Sequence, residues 1–164
     1  MAKKEDNKNR KMGEVKNISL QTFGTCARIL YLSPNVMKMA QEKFHIEYFL
    51  DQVSRKSLWN HIATPIGLST WFADSVTIKD DVYTFKWNKE EQKAVVISNK
   101  TEDSIRFHWI DDEEKAYFEF RIHTLELTGT TSLEVTDFAD PDEKKDSIEL
   151  WDTQIDELKR TLGI

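Results

Sequence analysis

The chain is short of several things that proteins use for stability, anchoring or catalysis. Its 164 residues include one cysteine, Cys26, so an intramolecular disulfide and a Cys-x-x-Cys metal or redox pair are both excluded. A lone thiol fits a reducing compartment. No run approaches the ~18 consecutive apolar residues of a membrane helix. The basic N-terminus (Lys3, Lys4, Lys8, Arg10, Lys11) raises the question of a secretory signal. The segment after it is interrupted by Gln21, Arg28 and Pro34 and has no clean apolar core. Phe23-Gly24-Thr25-Cys26 is not a lipoprotein box, because Thr25 stands where Gly or Ala is needed. Together these absences predict a cytoplasmic protein. The four histidines (His45, His61, His108, His123) show neither His-x-His nor His-Glu-x-x-His spacing, so no metal site is expected. Cys26 has no local histidine to act as its base, and no cofactor is expected.

What is abundant is large rings and charge. Hydrophobic residues make up 39% and charged residues 32%, with five Trp, four Tyr and nine Phe. That is one-domain length and suits a soluble domain with an aromatic core and no need of staples. The net charge of −6 is uneven. Residues 1–38 carry eight Lys/Arg against three Asp/Glu, a net of +5, while the remainder carries fifteen against twenty-six, a net of −11. An acidic domain repels nucleic acid, so no nucleic-acid partner is expected. The composition break predicts an N-terminal extension over 1–38, poorly ordered or preceding a native start at Met39, and a complete domain over 39–164.

From Phe44 to Leu50, Phe44, Ile46, Tyr48 and Leu50 alternate onto one face, which predicts a strand. Ser54 is placed to cap a short helix ending near His61, with Leu58, Trp59 and Ile62 as its stripe. Thr64-Pro65 starts a second short helix, Thr as cap and Pro at the first position, with Leu68, Trp71 and Phe72 facing inward. From Ala73 the period becomes two. Strands are expected up to Ile78 and over Val82–Trp87, Gln92–Ser98, Ser104–Ile110, Ala116–Leu127 and Thr131–Phe138, with a tight hairpin turn at Thr128-Gly129. Short connections imply an antiparallel meander.

Asp140 as cap, Pro141 at the first position and Asp142 and Glu143 behind it predict a final helix. Its apolar stripe is Ile148, Trp151, Ile155, Leu158 and Leu162, and Gly163 is its stop. A helix with one such stripe and a sheet with one aromatic face must cover each other. The expected fold class is therefore α+β: a curved antiparallel sheet of six to seven strands wrapped around a long C-terminal helix, with two short helices after the first strand.

Leu58-Trp59-Asn60 and Thr64-Pro65-Ile66-Gly67-Leu68-Ser69-Thr70-Trp71-Phe72-Ala73, set in this order of elements, resemble the START-like (helix-grip, SRPBCC) superfamily. The nearest flavour is the Hsp90-ATPase-activator-homologue domain. The resemblance spans roughly residues 43–162 in architecture and 58–74 in motif. It implies an elongated cavity between the long helix and the concave sheet, holding an apolar small molecule or lipid without catalysis. The same superfamily implies two alternatives: a cochaperone-type domain that binds a protein partner, or an enzyme of the cyclase or hydrolase type.

The cavity-lining candidates are Tyr83, Phe85, Trp87, Phe107, Trp109, Phe118, Phe120, Trp151 and Ile155. Two readings stay open for them, a lined pocket or a filled aromatic core. Trp59 and Trp71 are anchors of the short helices. Arg106, His108, Glu119, Arg121 and His123 fall on the opposite face as paired surface charges. Catalytic residues and metal ligands: none. Asn99-Lys100-Thr101 is a glycosylation sequon by pattern only, without meaning in a cytoplasmic protein.

Overall fold

A computed structural model describes residues 40–112, 115–125 and 127–164; the expectations for residues 1–38, Cys26 included, lie outside the described residues. The opening strand β1 (Glu42–Leu50) follows from its alternation. Phe44 and Leu50 are buried and Ile46 and Tyr48 half-buried, while His45, Glu47 and Phe49 face solvent. In α1 (Arg55–Ala63) the Ser54 side chain accepts the Ser57 N–H as its cap. Thr64 does the same for the Gly67 N–H of α2 (Pro65–Leu68), with Pro65 in the first turn. Gly67 is where the two helices touch. A Cβ there would lie 2.0 Å from the Asn60 carbonyl oxygen, so only glycine allows the approach.

Six strands follow: β2 (Ser75–Lys79), β3 (Val82–Trp87), β4 (Glu90–Lys100), β5 (Ser104–Trp109), β6 (Phe118–Thr124) and β7 (Thr131–Ala139). Each pairs antiparallel with the next, and β1 pairs back onto β7 from Glu42↔Ala139 to Leu50↔Thr131. The result is a seven-stranded sheet in the order β1-β7-β6-β5-β4-β3-β2. A register shift between Val96 and Ser98 marks a bulge, which bends the strand and adds twist. The long helix α3 (Lys144–Leu162) lies on the concave face and ends at Gly163 in the left-handed conformation. This is the α+β helix-grip arrangement.

Three local expectations are corrected. The strand expected over Ala116–Leu127 pairs only over Phe118–Thr124. Leu125 and Leu127 have the outward parity of the strand and are 52% and 100% exposed, so neither adds to the core face. The turn after it is not a two-residue one. Leu125 and Thr130 close it by a backbone bond, and the Gly129 N–H returns to the Leu125 carbonyl, with Gly129 at φ +69. Asp140 does not cap α3. The Glu143 N–H bonds the Asp140 carbonyl, forming a turn that precedes the helix, and Glu143 is the cap residue without a side-chain bond. Proline suits the second position of a turn as well as the first of a helix, so the sequence signal was ambiguous by one turn.

Trp151, Ile155 and Leu158 are fully buried against the sheet, each contributing on the order of 1.5–3 kcal/mol. Polar contacts add less, ~0.5–1.5 kcal/mol each, but they set the helix's orientation. Trp151 Nε1 donates to Asp137 Oδ2 at 2.9 Å and Tyr48 OH to Asp152 Oδ1 at 2.7 Å. Near the other end of the helix, Thr161 Oγ1 donates to the Thr70 carbonyl at 3.3 Å.

Candidate functional site

The alternation of β3, β5 and β6 aims one ring per two residues at the concave face, and those rings meet. Phe107 and Phe118 stack at 4.9 Å, Trp109 and Phe118 at 4.8 Å. Phe85, Phe107, Phe118, Phe120, Trp151 and Ile155 are fully buried, Trp87 nearly so, and Tyr83 and Trp109 half-buried. The structure thus brings the sequence candidates together as one packed cluster beneath α3. Its centre is a residue outside the candidate set. Phe72, on the connection from α2 to β2, places its ring 5.4 Å from Phe85, 5.7 Å from Phe118 and 5.8 Å from Trp151. Its carbonyl accepts Trp87 Nε1 at 2.6 Å, which holds the connection against β3.

A concavity survives beyond the cluster. Ile78, Asp81, Tyr83, Val96 and Asn99 line a half-open cavity of about 360 Å³, within the size range of small-molecule sites. The ladder explains the lining: Ile78 lies directly across from Tyr83, and Tyr83 across from Ala94, so all three share the concave face with Phe85. Of the nine candidates Tyr83 lines this mouth. Ile78, Val96, Asp81 and Asn99 were not singled out as ligand-binding. The signal for Ile78 was available, since it shares Val76's parity yet has no partner further along the strand. Tyr83 OH reaches the Ala63 carbonyl at 3.4 Å, tying the mouth to the end of α1. Burial raises its phenol above the usual tyrosine range, so it stays protonated and able to donate.

Two further polar groups of the interior escaped the pattern reading. Gln154 on α3 is 3% exposed, and its Oε1 has no hydrogen-bond partner. Gln92 Oε1, directly across from Phe85 in the ladder, is also buried without one. Gln154 was legible as a polar residue inside the apolar stripe, three residues after Trp151 and four before Leu158.

The convex face carries the expected charge pairs. Glu119, only 5% exposed, accepts from Arg106 at 2.6 Å and Arg121 at 2.9 Å, and Arg106 lies 4.1 Å over the Tyr117 ring. The hydrogen bond to Glu119 holds the Arg121 guanidinium above its ordinary pKa. His61 Nδ1 and His108 Nδ1 bond the Ser57 and Ala116 carbonyls, His123 faces Glu134, and His45 is exposed. Among the described residues no three His, Cys, Asp or Glu gather as a metal site. No described helix is long and apolar enough to cross a membrane.

Residues 38–164 match the family model of the START-like superfamily domain. No curated protein matches the chain. Among solved structures, BfR322 from Bacteroides fragilis is 46% identical with a TM-score of 0.57, covering 75% of this chain and 92% of that one. The Aha1 dimer from Colwellia psychrerythraea is 14% identical with a TM-score of 0.64, covering 75% of this chain and 97% of that one. CalU16 from Micromonospora echinospora is 13% identical with a TM-score of 0.58, covering 74% of each. The last two are likenesses of fold.

Proposed function

The chain belongs to the START-like superfamily, and from that premise we propose that residues 39–164 hold an apolar small molecule or lipid, without catalysis, at the mouth formed by β2, β3 and β4. The observation that carries this reading is the half-open cavity walled by Ile78, Tyr83 and Val96. It lies on the same concave sheet as the aromatic cluster, but outside it. Asp81 and Asn99 at its wall supply polar groups that orient a ligand, as small-molecule sites require. No histidine, serine or cysteine is among the five lining residues, which favours binding over chemistry through a base-activated hydroxyl or thiol. The reading includes a cytoplasmic setting, supported by the chain's single cysteine.

The test is thermal unfolding of the full chain against a panel of lipids and aromatic small molecules. A ligand present at about 100 times its Kd adds ~2.7 kcal/mol to stability, and a bulky Val96→Trp abolishes that gain. The reading fails if no panel member raises the midpoint, or if the gain survives Val96→Trp.

A second reading, a protein-interaction domain of the cochaperone type, draws on the fold likeness to Aha1 and on the Arg106–Tyr117 platform of the convex face. Under it the chain changes the ATPase rate of Hsp90, and Arg106→Ala weakens the change. An unchanged rate with the full chain would sink it.

A further inference from the structure

The two edges of the sheet differ. The β2 edge spans five residues and turns back at Asp80-Asp81, both at positive φ. The β1 edge spans nine, and its register with β7 runs without a shift from Glu42↔Ala139 to Leu50↔Thr131. It contains no proline, glycine or bulge to spoil further pairing. β1 stands last in the sheet order, beside β7. Alternate N–H and C=O groups of such a strand point outward, and among the described residues no backbone bond outside the ladder reaches β1.

The side chains of this edge form a self-complementary row. On the convex face Lys43, His45, Glu47 and Phe49 run from cation to anion, and all four are exposed, Phe49 at 59%. Glu47 lies directly across from Glu134, a like-charge pair that costs stability within one chain. Glu134 has His123 at 3.5 Å. Glu47 accepts from the Ser132 hydroxyl at 2.6 Å, and among the described residues no cation pairs with it. On the concave face Ile46 is half-exposed, so α3 leaves the edge uncovered there. A two-fold axis normal to the sheet would pair β1 with itself, antiparallel and with the faces kept in line. Centred on Ile46, it sets His45 opposite Glu47 of the second copy, twice over. Lys43 then covers the Phe49 ring with Glu47 on its diagonal, while Ile46 meets Ile46 and Phe44 meets Tyr48. Centring on Glu47 opposes two like charges, and centring on His45 leaves Phe49 beyond the paired strand.

We propose that the β1 edge is a homodimer interface, at which two copies of this chain join β1 to β1 about a two-fold axis at Ile46 and their sheets become one. Main-chain bonds supply the affinity and the His45–Glu47 pairs fix the register. The interface lies at the opposite edge from the mouth at Tyr83, so the two stand or fall separately.

The test is sedimentation of the full chain through the micromolar range, where a species of twice its 19.3 kDa appears. Glu47→Lys weakens that association by about tenfold or more, because it sets a cation opposite His45 and beside Lys43 of the second copy. The same change relieves the Glu47–Glu134 pair within one chain, so the unfolding midpoint does not fall. His45→Glu/Glu47→Lys reverses the pair and restores the dimer. In a Cys26→Ser background, Ile46→Cys gives a disulfide dimer on mild oxidation, since opposed Cβ atoms lie about 4.5–5.5 Å apart, close to disulfide reach. Glu42→Cys, at the far end of the strand, does not. The proposal is overturned if the full chain stays monomeric, if Glu47→Lys leaves the dimer intact, if the reversed pair fails to restore it, or if Ile46→Cys crosslinks no better than Glu42→Cys.

Discussion

Along the β1–β7 side of the sheet, α3 is fastened twice, by Trp151 to Asp137 and by Tyr48 to Asp152, and these are the strands it lies closest to. Along the β2–β4 side, the concave face runs out in Ile78, which is 43% exposed, and in Tyr83 and Val96 around an open cavity. One sheet thus has a gripped side and an ungripped side, with the Phe72-centred rings between them. A single helix about 10 Å across covers only part of a seven-stranded face. The rest of that face must be plugged by rings or left for something else. The gripped side is held by buried rings and hydrogen bonds, and the ungripped side leaves an open face.

Substitutions on the two sides rank accordingly. Trp151→Ala removes the ring that meets Phe72, Phe118 and Phe120 and the bond to Asp137. It costs roughly 3–5 kcal/mol, read as the shift in a urea midpoint; a loss below ~1 kcal/mol would erase the contrast. Gly67→Ala pushes a methyl into the Asn60 carbonyl. Overpacking of this kind costs about 1–3 kcal/mol, and a neutral outcome would mean that α1 and α2 separate freely.

Tyr48→Phe sharpens the comparison through pH. Burial, and then the Asp152 carboxylate that accepts its hydrogen bond, hold the Tyr48 phenol well above the ordinary 10.0. Because the folded-state pKa is raised, this contribution is fully present below pH 10.0 and is lost as pH rises beyond it. Tyr48→Phe lowers stability by ~1 kcal/mol at neutral pH and makes the alkaline decline shallower. Unchanged alkaline unfolding curves would remove Tyr48 from the clamp. The smallest effect belongs to the open side: Ile78→Ser shifts the unfolding free energy by no more than about 0.5 kcal/mol while weakening any ligand-induced gain in midpoint. A large loss of stability there would show that the mouth is part of the core.

Much of this was readable in residue order. Ser54 and Thr64 announce their helices because a cap needs a short oxygen-bearing side chain at one position, and both act as caps. Period two located each strand, and it faltered where parity and hydrophobicity part company, at Leu125 and Leu127. Asp140-Pro141 misled by one turn, since a turn and a helix start ask the same of proline. The candidate rings were legible as inward-facing, but whether they line a space or fill one depends on Phe72. The stripe of the second short helix marked it as inward-facing, but that helix ends at Leu68, and no spacing says how far among the sheet's rings a residue of the connection reaches. The mouth escaped notice for a related reason. Ile78 belongs to β2, Tyr83 to β3, and Val96 and Asn99 to β4, and their meeting depends on register and on the bulge after Val96.

The sequence by itself determined the element order, the two capped short helices, the face of each strand and the stripe of α3, because these follow from local backbone preferences and from periods of two and 3.6. Only the tertiary structure decided where α3 rests on the sheet and that Phe72 stands among the rings. It alone left Gln154 without a donor and the β2–β4 end uncovered. Those outcomes depend on volumes filled by side chains distant in sequence, and no local preference encodes how much space a curved sheet leaves beside one helix.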